Sequence, residues 1–277
     1  MRRTAWQHFR RSKLATVAVA YVALITIMAA AAPLLSMQSP DAIDLNAHLQ
    51  PPSGQHPFGT DNLGRDVLTR MIHGSRVSLV VGYSATLLSL IIGSLLGALA
   101  GYYGGVADWL VSRLIEVVLC FPFLFLVLGI VALFRPSIYT ILIALALTSW
   151  TTEARFVRAE FLRIRELDYA QAARASGAGD SRIIFRHLLP NALAPVIVSA
   201  SFGVASAILA ESALSFLGFG VAFPTASWGS ILAVARDYIE FAWWLVVFPG
   251  VAIFLTVAAF NLIGDRLRDV LDPKEET

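Results

Sequence analysis

Apolar residues occupy this chain in long blocks divided by polar connectors, and most blocks are longer than a soluble core needs. Leu14–Leu35 is about 22 residues, long enough to cross a bilayer as a helix. From Ser36 to Ser75 the chain turns polar, with Pro40, Pro51, Pro52 and Pro57 breaking regular structure. Apolar character returns at Val77–Gly101 and again around Leu114–Phe134, where Pro122 offers a kink and Pro136 a turn. Ile138–Thr152 is short for a crossing at about 15 residues, so it is expected to continue helically into the headgroups or to lie within the bundle. A polar stretch, 153–190, precedes a fifth block at Ala192–Leu209 and a sixth at Trp243–Ile263. Between these two, Glu211–Ala242 is apolar but interrupted by Gly218, Gly220, Pro224 and Gly229. Irregular backbone at membrane depth must be buried in protein or line a wet cavity, which makes this segment a candidate pathway mouth. The pattern predicts an all-α integral membrane protein with six spans. It divides into a tail (1–13), a first span (14–35), an external loop (36–76), a core of five spans (77–263) and a second tail (264–277).

Finer periodicities predict how the spans meet. Ser89, Gly93, Gly97 and Gly101 recur every four residues and share one face of the second span, as Ser199, Gly203 and Ala207 do on the fifth. Small residues on one face let another helix approach closely, so both faces are expected to be packing seams. Within the polar stretch, Asp168 and Gln171 stand at capping-box spacing, predicting a helix from Tyr169 of about eight residues that Gly177 ends. A second start at Asp180 leads through Ile183, Ile184, Leu188 and Leu189 to Pro190. The expectation is two short helices joined by a glycine hinge.

Composition agrees with the pattern: the 277 residues are 57% hydrophobic and 14% charged, with mean hydropathy +0.70, against about 25% charged in soluble domains. A net charge of +2 implies no polyanionic partner, nucleic acid included. The single cysteine, Cys120, excludes an intrachain disulfide and reads as a small packing residue. Neither of the two lysines, Lys13 and Lys274, sits in a Gly-Lys-Ser/Thr phosphate loop, so any nucleotide energy must be released on another chain. With the N-terminus inside, about 16 Lys and Arg fall on the cytoplasmic side against about 5 outside, which predicts both termini and the 153–190 stretch to be cytoplasmic. A cleaved signal peptide competes for the first block, since Ala29–Ala32 before Pro33 imitates a cleavage site, but the block exceeds the usual length of about 7 to 15 residues.

The 171–190 region resembles the cytoplasmic "EAA" loop of bacterial ABC importer permeases. Ala172, Ala173, Gly177, Leu189 and Pro190 fall at matching positions, while Gln171 stands for the Glu and His187 for the Ile. HPFGTDNLGRDVLTRMIHGSRVSL at 56–79 and ALSFLGFGVAFPTASWGSIL at 213–232 are similar to the external loops of the dipeptide/oligopeptide/nickel permease family, in its C-type subunit. The resemblance implies a type I importer fold with a coupling helix between the fourth and fifth spans, in a bacterial inner membrane. It implies a heterodimer with a second permease, two ATPase subunits that bind the ATP and magnesium, and an extracytoplasmic substrate-binding protein. No cofactor belongs to this chain on that reading. The coupling residues it implies are Asp168, Gln171, Ala172, Ala173, Arg174, Gly177, Leu189 and Pro190. The cargo implied is a di- or oligopeptide, with nickel or another small solute as the alternative.

Other polar residues carry bland readings beside sharp ones. Arg155, Arg158, Arg163, Arg165, Arg174, Arg182 and Arg186 suit contact with anionic lipid, with Arg174 and Arg182 as partners for acids on an ATPase. His48, His56 and His73 fit no compact metal-ligand spacing, and Asp61, Arg65 and Asp66 are expected to organise the outer loop by capping and ion pairing. Glu211, Phe216 and Trp228 are the candidate pathway residues. Glu211 is a functional suspect because ionisable groups at membrane depth are costly, and a structural hydrogen bond is the competing account. A membrane-embedded enzyme would need a nucleophile with a base, or metal-ligand spacing, within the spans; no histidine lies there. An uncoupled channel has no use for an ATPase-docking loop.

Overall fold

Helix starts in this chain are set by caps more than by hydropathy. The computed structural model describes residues 12–35, 39–135 and 137–271; Arg2, Arg3, Arg10, Arg11, Pro136 and Lys274 lie outside them. Helix α1 (Lys13–Ala30) opens where the Ser12 hydroxyl accepts from the Ala15 amide at 3.3 Å, and one further turn follows at Ala32–Leu35. Helix α2 (Val67–Tyr103) starts ten residues before the predicted second span, because Asp66 caps it by accepting from the Thr69 amide at 2.8 Å. The residues gained, including Thr69, Arg70, His73 and Arg76, are too polar for a hydropathy reading to include.

The expected third span does not run as one helix. Helix α3 (Gly105–Leu119) and helix α4 (Phe123–Leu133) are bent by 87° at the break around Pro122. Proline removes the amide that would continue the ladder, and here the interruption is a corner rather than a kink. Cys120 lies at this corner and is exposed, so it is not the packing residue expected.

Helix α5 (Ile138–Ile164), capped by Ser137, carries the predicted fourth span twelve residues beyond Thr152, well into the stretch expected as loop. Helix α6 (Asp168–Ala175) is followed by a helical turn at Asp180–Arg182, a π-helical segment at Ile183–Leu188, and helix α7 (Leu189–Phe216). The second short helix of the sequence reading is therefore the beginning of a long one. Pro190 offers no amide to the turn before it, and the wider π turn ends beside it. Helix α8 (Trp228–Ala235) begins with a reciprocal Ser227/Ser230 capping box, and helix α9 (Trp244–Leu271) closes the described chain.

Among the described residues, four helices are long and apolar enough to cross a membrane: α1, α2, the Pro195–Phe216 part of α7, and α9; the bent α3–α4 pair would make a fifth. Helix α5 is long enough but carries Glu153, Arg155, Arg158, Glu160 and Arg163 in its second half. Packing follows the small-residue seams. A Cβ on Gly93 would stand 2.5 Å from the Glu153 Cβ, one on Gly97 2.5 Å from the Ala154 carbonyl, and one on Gly101 2.6 Å from the Phe161 Cβ, so α2 and α5 meet backbone to backbone. On α7, Gly203 faces the Thr86 side chain of α2, whose Cγ2 would stand 2.9 Å from an added Cβ.

Helix α1 belongs to this bundle. Ile25 and Ala29 lie in the main apolar core, while Thr26 and Tyr21 hydrogen-bond Tyr83 of α2 and Thr256 of α9 at 2.9 and 3.2 Å. The loop before α2 is held by the groups expected. Asp61 accepts from the Leu63 and Arg65 amides at 2.9 and 3.0 Å and from Arg65 Nε at 2.7 Å. The ring of Phe58 stacks on Phe248 at 3.9 Å, and Trp244 Nε1 donates to the Thr60 carbonyl at 3.0 Å.

Candidate functional site

Helix α6 presents two faces, and alanine allows both. Ala170 is buried and Ala173 half-buried on an apolar cluster of Tyr102, Phe161, Ile164, Ile183, Ile184 and Leu188. Gln171, Ala172, Arg174 and Gly177 are exposed on the other side, as is Pro190, while Leu189 is half-buried. The capping box expected at the start does not form. The helix begins one residue early with Leu167 as its N-cap, so Asp168 is the first helical residue, and Gln171 Nε2 donates instead to the Glu166 carbonyl at 3.1 Å. Asp168 keeps a favourable place beside the positive end of the helix dipole.

At the far end Gly177 has φ +77, with its amide donating to the Arg174 carbonyl at 2.9 Å and the Ala178 amide to that of Ala173 at 3.1 Å. These two bonds are a Schellman closure, which needs a residue at ease in the left-handed region.

The α6 segment is tied to the bundle at one aromatic residue. Tyr102, in the last turn of α2, donates its hydroxyl to Asp180 Oδ1 at 2.7 Å, and the Arg174 guanidinium lies 5.1 Å over its ring. Arg165 Nη1 donates to the Gly101 carbonyl at 3.0 Å, and Arg158 forms a two-pronged pair with Asp108 of α3. Tyr102 and Asp180 are 78 residues apart, a separation at which no helical or turn spacing signals a pair.

A cavity of about 970 Å³ opens between α2, α5, α7 and the α3–α4 corner, with Thr86, Ser89, Thr148, Thr151, Glu153 and Ser199 in its wall. Arg163 and Arg268 stand at one end of it. The Ser199 hydroxyl donates to the Glu153 carboxylate, joining α7 to α5 across the Gly93 seam. Sequence reasoning placed Glu153 in a surface loop. The available signal was the run of Thr148, Ser149, Thr151 and Thr152 just before it, too polar for a lipid-facing turn.

The three pathway candidates lie elsewhere. Glu211 is fully buried and accepts from the hydroxyls of Ser215 at 2.7 Å and Ser78 at 3.3 Å. Trp228 is buried beside it, its amide donating to Ser78 Oγ and its Nε1 to the Met71 carbonyl, both at 3.3 Å. Together they hold α8 between α2 and α7, the structural role weighed for Glu211. Phe216 is partly exposed at the end of α7.

Several apolar helices, seams of small residues and a polar-walled cavity beside a surface helix define a multi-pass helical membrane protein of the transport type. The chain belongs to the family of binding-protein-dependent transport system inner membrane components, which matches residues 93–277, and residues 1–52 match the N-terminal TM domain of oligopeptide transport permease C. The family comprises transport permeases rather than enzymes. The chain is 44% identical over 272 residues to a dipeptide transport system permease protein DppC of Alkalihalophilus pseudofirmus, covering 98% of this chain and 90% of that protein. It is 46% identical to a di/tripeptide transport system permease of Pseudomonas aeruginosa (97% and 91% covered) and 40% identical to a probable D,D-dipeptide permease of Escherichia coli (95% and 88%). Its fold is similar to that of the MetNI methionine ABC transporter in an inward-facing conformation, with TM-score 0.59, 20% identity, and 73% and 97% of the two chains covered.

Proposed function

We propose that this chain is a permease subunit of an ATP-driven importer for di- and oligopeptides. The observation that carries the proposal is the 44% identity to a dipeptide permease along 98% of the chain, and the exposed face of α6, tied to α2 through Tyr102, supports it. Six crossings are formed by α1, α2, the bent α3–α4 pair, α5, α7 and α9, with both termini and α6 on the cytoplasmic side. A second permease completes the pathway, two ATPase subunits bind ATP and magnesium and seat on the exposed face of α6, and an extracytoplasmic binding protein delivers the peptide. Coupling on this chain is mechanical: displacement of α6 passes through Tyr102 to α2 and through the π turn to α7, whose walls line the cavity.

Affinity purification of the tagged chain from its native membrane is expected to bring down a second permease and ATPase subunits. The reconstituted complex should hydrolyse ATP faster when peptide-loaded binding protein is added. A chain that transports peptide as a lone monomer overturns the reading.

Tyr102→Phe removes one hydrogen bond to a charged acceptor, about 1.5–3 kcal/mol at a linkage rather than in the core. The expected result is retained ATP hydrolysis with peptide taken up per ATP lowered several-fold, and Asp180→Asn, which keeps an acceptor for the hydroxyl, should lose less. An unchanged ratio in Tyr102→Phe means that displacement does not pass through this pair.

A further inference from the structure

Two arginines at the start of α2 are buried with too few carboxylates between them. Arg65 is 2% and Arg70 4% exposed. Asp61, itself buried, serves both: its Oδ2 lies 2.7 Å from Arg65 Nε and 3.5 Å from Arg70 Nε. Arg70 Nη1 adds the Pro40 carbonyl at 3.2 Å and, at 3.6 Å, Asp41, whose side chain is 41% exposed. The remaining nearby acids are engaged elsewhere: Asp66 holds the Thr69 amide and His56, and Glu211 holds Ser78 and Ser215. Arg65 Nη1 is buried with no hydrogen-bond partner among the described residues. A buried cationic donor left unmade costs free energy that a ligand anion would recover.

That donor belongs to a side chain in the wall of a pocket. Arg65 and Arg70 line a cavity of about 200 Å³ with Ser215, Phe223, Thr225 and Ala233, beneath the irregular segment 217–227. The Arg65 guanidinium carbon lies 5.2 Å from the centroid of the Phe223 ring, which also lines the cavity, so the cationic head stands beside that wall. The pocket is smaller than the roughly 300–1,000 Å³ that enclose whole small molecules, so it accepts a terminal group. Planar guanidiniums match a carboxylate better than any other common anion except phosphate, and a peptide carries a carboxylate at its end.

We infer that this pocket is a carboxylate-binding subsite on the entry side of the pathway, an assignment of side that rests on the proposed peptide-import topology. The carboxylate comes from the C-terminus of the arriving peptide or from an acidic side chain of the binding protein that delivers it.

The test uses the complete transporter in nanodiscs. Glycylglycine and its C-terminal amide are titrated onto the wild-type complex without binding protein, and binding protein is titrated without peptide; both titrations are repeated with Ala233→Leu, which fills the pocket. If the peptide supplies the group, the free carboxylate binds wild type roughly 10- to 100-fold tighter than the amide, the range expected for hydrogen bonds to a charged group, and Ala233→Leu abolishes the difference. If the binding protein supplies it, peptide and amide bind alike, and Ala233→Leu weakens binding-protein association by a similar factor. Equal binding of peptide and amide to wild type, together with unchanged binding-protein affinity in the variant, overturns the inference. Should the variant fail to assemble, the wild-type comparison is repeated with acetate as competitor. The inference then fails if acetate displaces neither glycylglycine nor the binding protein. Failure of the transport reading looks different: wild type itself would show no peptide-stimulated ATP hydrolysis.

Discussion

Gly97→Leu is expected to cut accumulation of folded protein roughly tenfold. The new Cβ would lie 2.5 Å from the Ala154 carbonyl and 2.9 Å from the Val157 Cβ, and the first of these is backbone that cannot rotate away. Overpacking an accommodating core costs about 1–3 kcal/mol, and a backbone-limited seam sits at or beyond the top of that range. Gly101, Gly93 and Gly97 form one continuous contact, so α5 cannot move off at one level without parting from α2 at the next. Size-exclusion chromatography of the solubilised protein should show roughly tenfold less monodisperse material than wild type, the change that about 1.4 kcal/mol already produces in an equilibrium. Gly129→Leu on α4, where a Cβ meets nothing within 4 Å, is the control expected to behave as wild type. Equal yields from the two variants would mean that the seam is not what joins these helices.

The second large effect is expected on activity with the fold intact. Gly177→Glu meets no neighbouring atom within 4 Å, but its backbone at φ +77 costs a residue with a side chain about 1–2 kcal/mol. Relaxing that strain breaks the two closing hydrogen bonds and turns the exposed face of α6, while the carboxylate adds charge beside the proposed ATPase seat. The protein should insert at wild-type levels, yet ATP hydrolysis should no longer respond to peptide-loaded binding protein and uptake should fall to background. Gly177→Asn, which tolerates the left-handed region, should keep most of both. Wild-type coupling in Gly177→Glu would remove α6 from the transmission path.

Much of this molecule was legible in its sequence because membrane segments announce themselves by composition and seams by a four-residue period. Gly93, Gly97 and Gly101 were read as a contact face, and they are one. Boundaries were less legible: Asp66 begins α2 ten residues early by capping, an event that hydropathy does not register, and α5, which starts at Ile138 as read, runs twelve residues past Thr152. The capping box at Asp168 went the other way: the spacing fitted, but the helix took an earlier start and Gln171 found another partner in the Glu166 carbonyl. The α3–α4 corner was underestimated because a proline reports an interruption without its angle. Glu153 was missed because its surroundings are assembled from three helices, and Tyr102–Asp180 because no local pattern links residues so distant. Glu211 was found by the rule that ionisable groups in spans are suspect, yet its serine partners come from α2 and α7 and only the packed bundle brings them together.

From Asp180 to Phe216 the backbone is helical without a break, a path of roughly 55 Å at the usual rise. One end carries the acid that holds Tyr102, and the other carries Ser215 in the wall of the two-arginine pocket. On the proposed coupling, a twist applied at the Asp180 end reaches the two-arginine pocket through a single shaft, with no loop in which the rotation can dissipate. The π turn and the two prolines, Pro190 and Pro195, all lie in the half of the shaft nearest the docking element. The proposed coupling therefore places compliance at the end that α6 would displace, and leaves the half beside the two-arginine pocket regular and stiff. A shaft built this way flexes first at the α6 end, so slack there is absorbed before the pocket begins to turn.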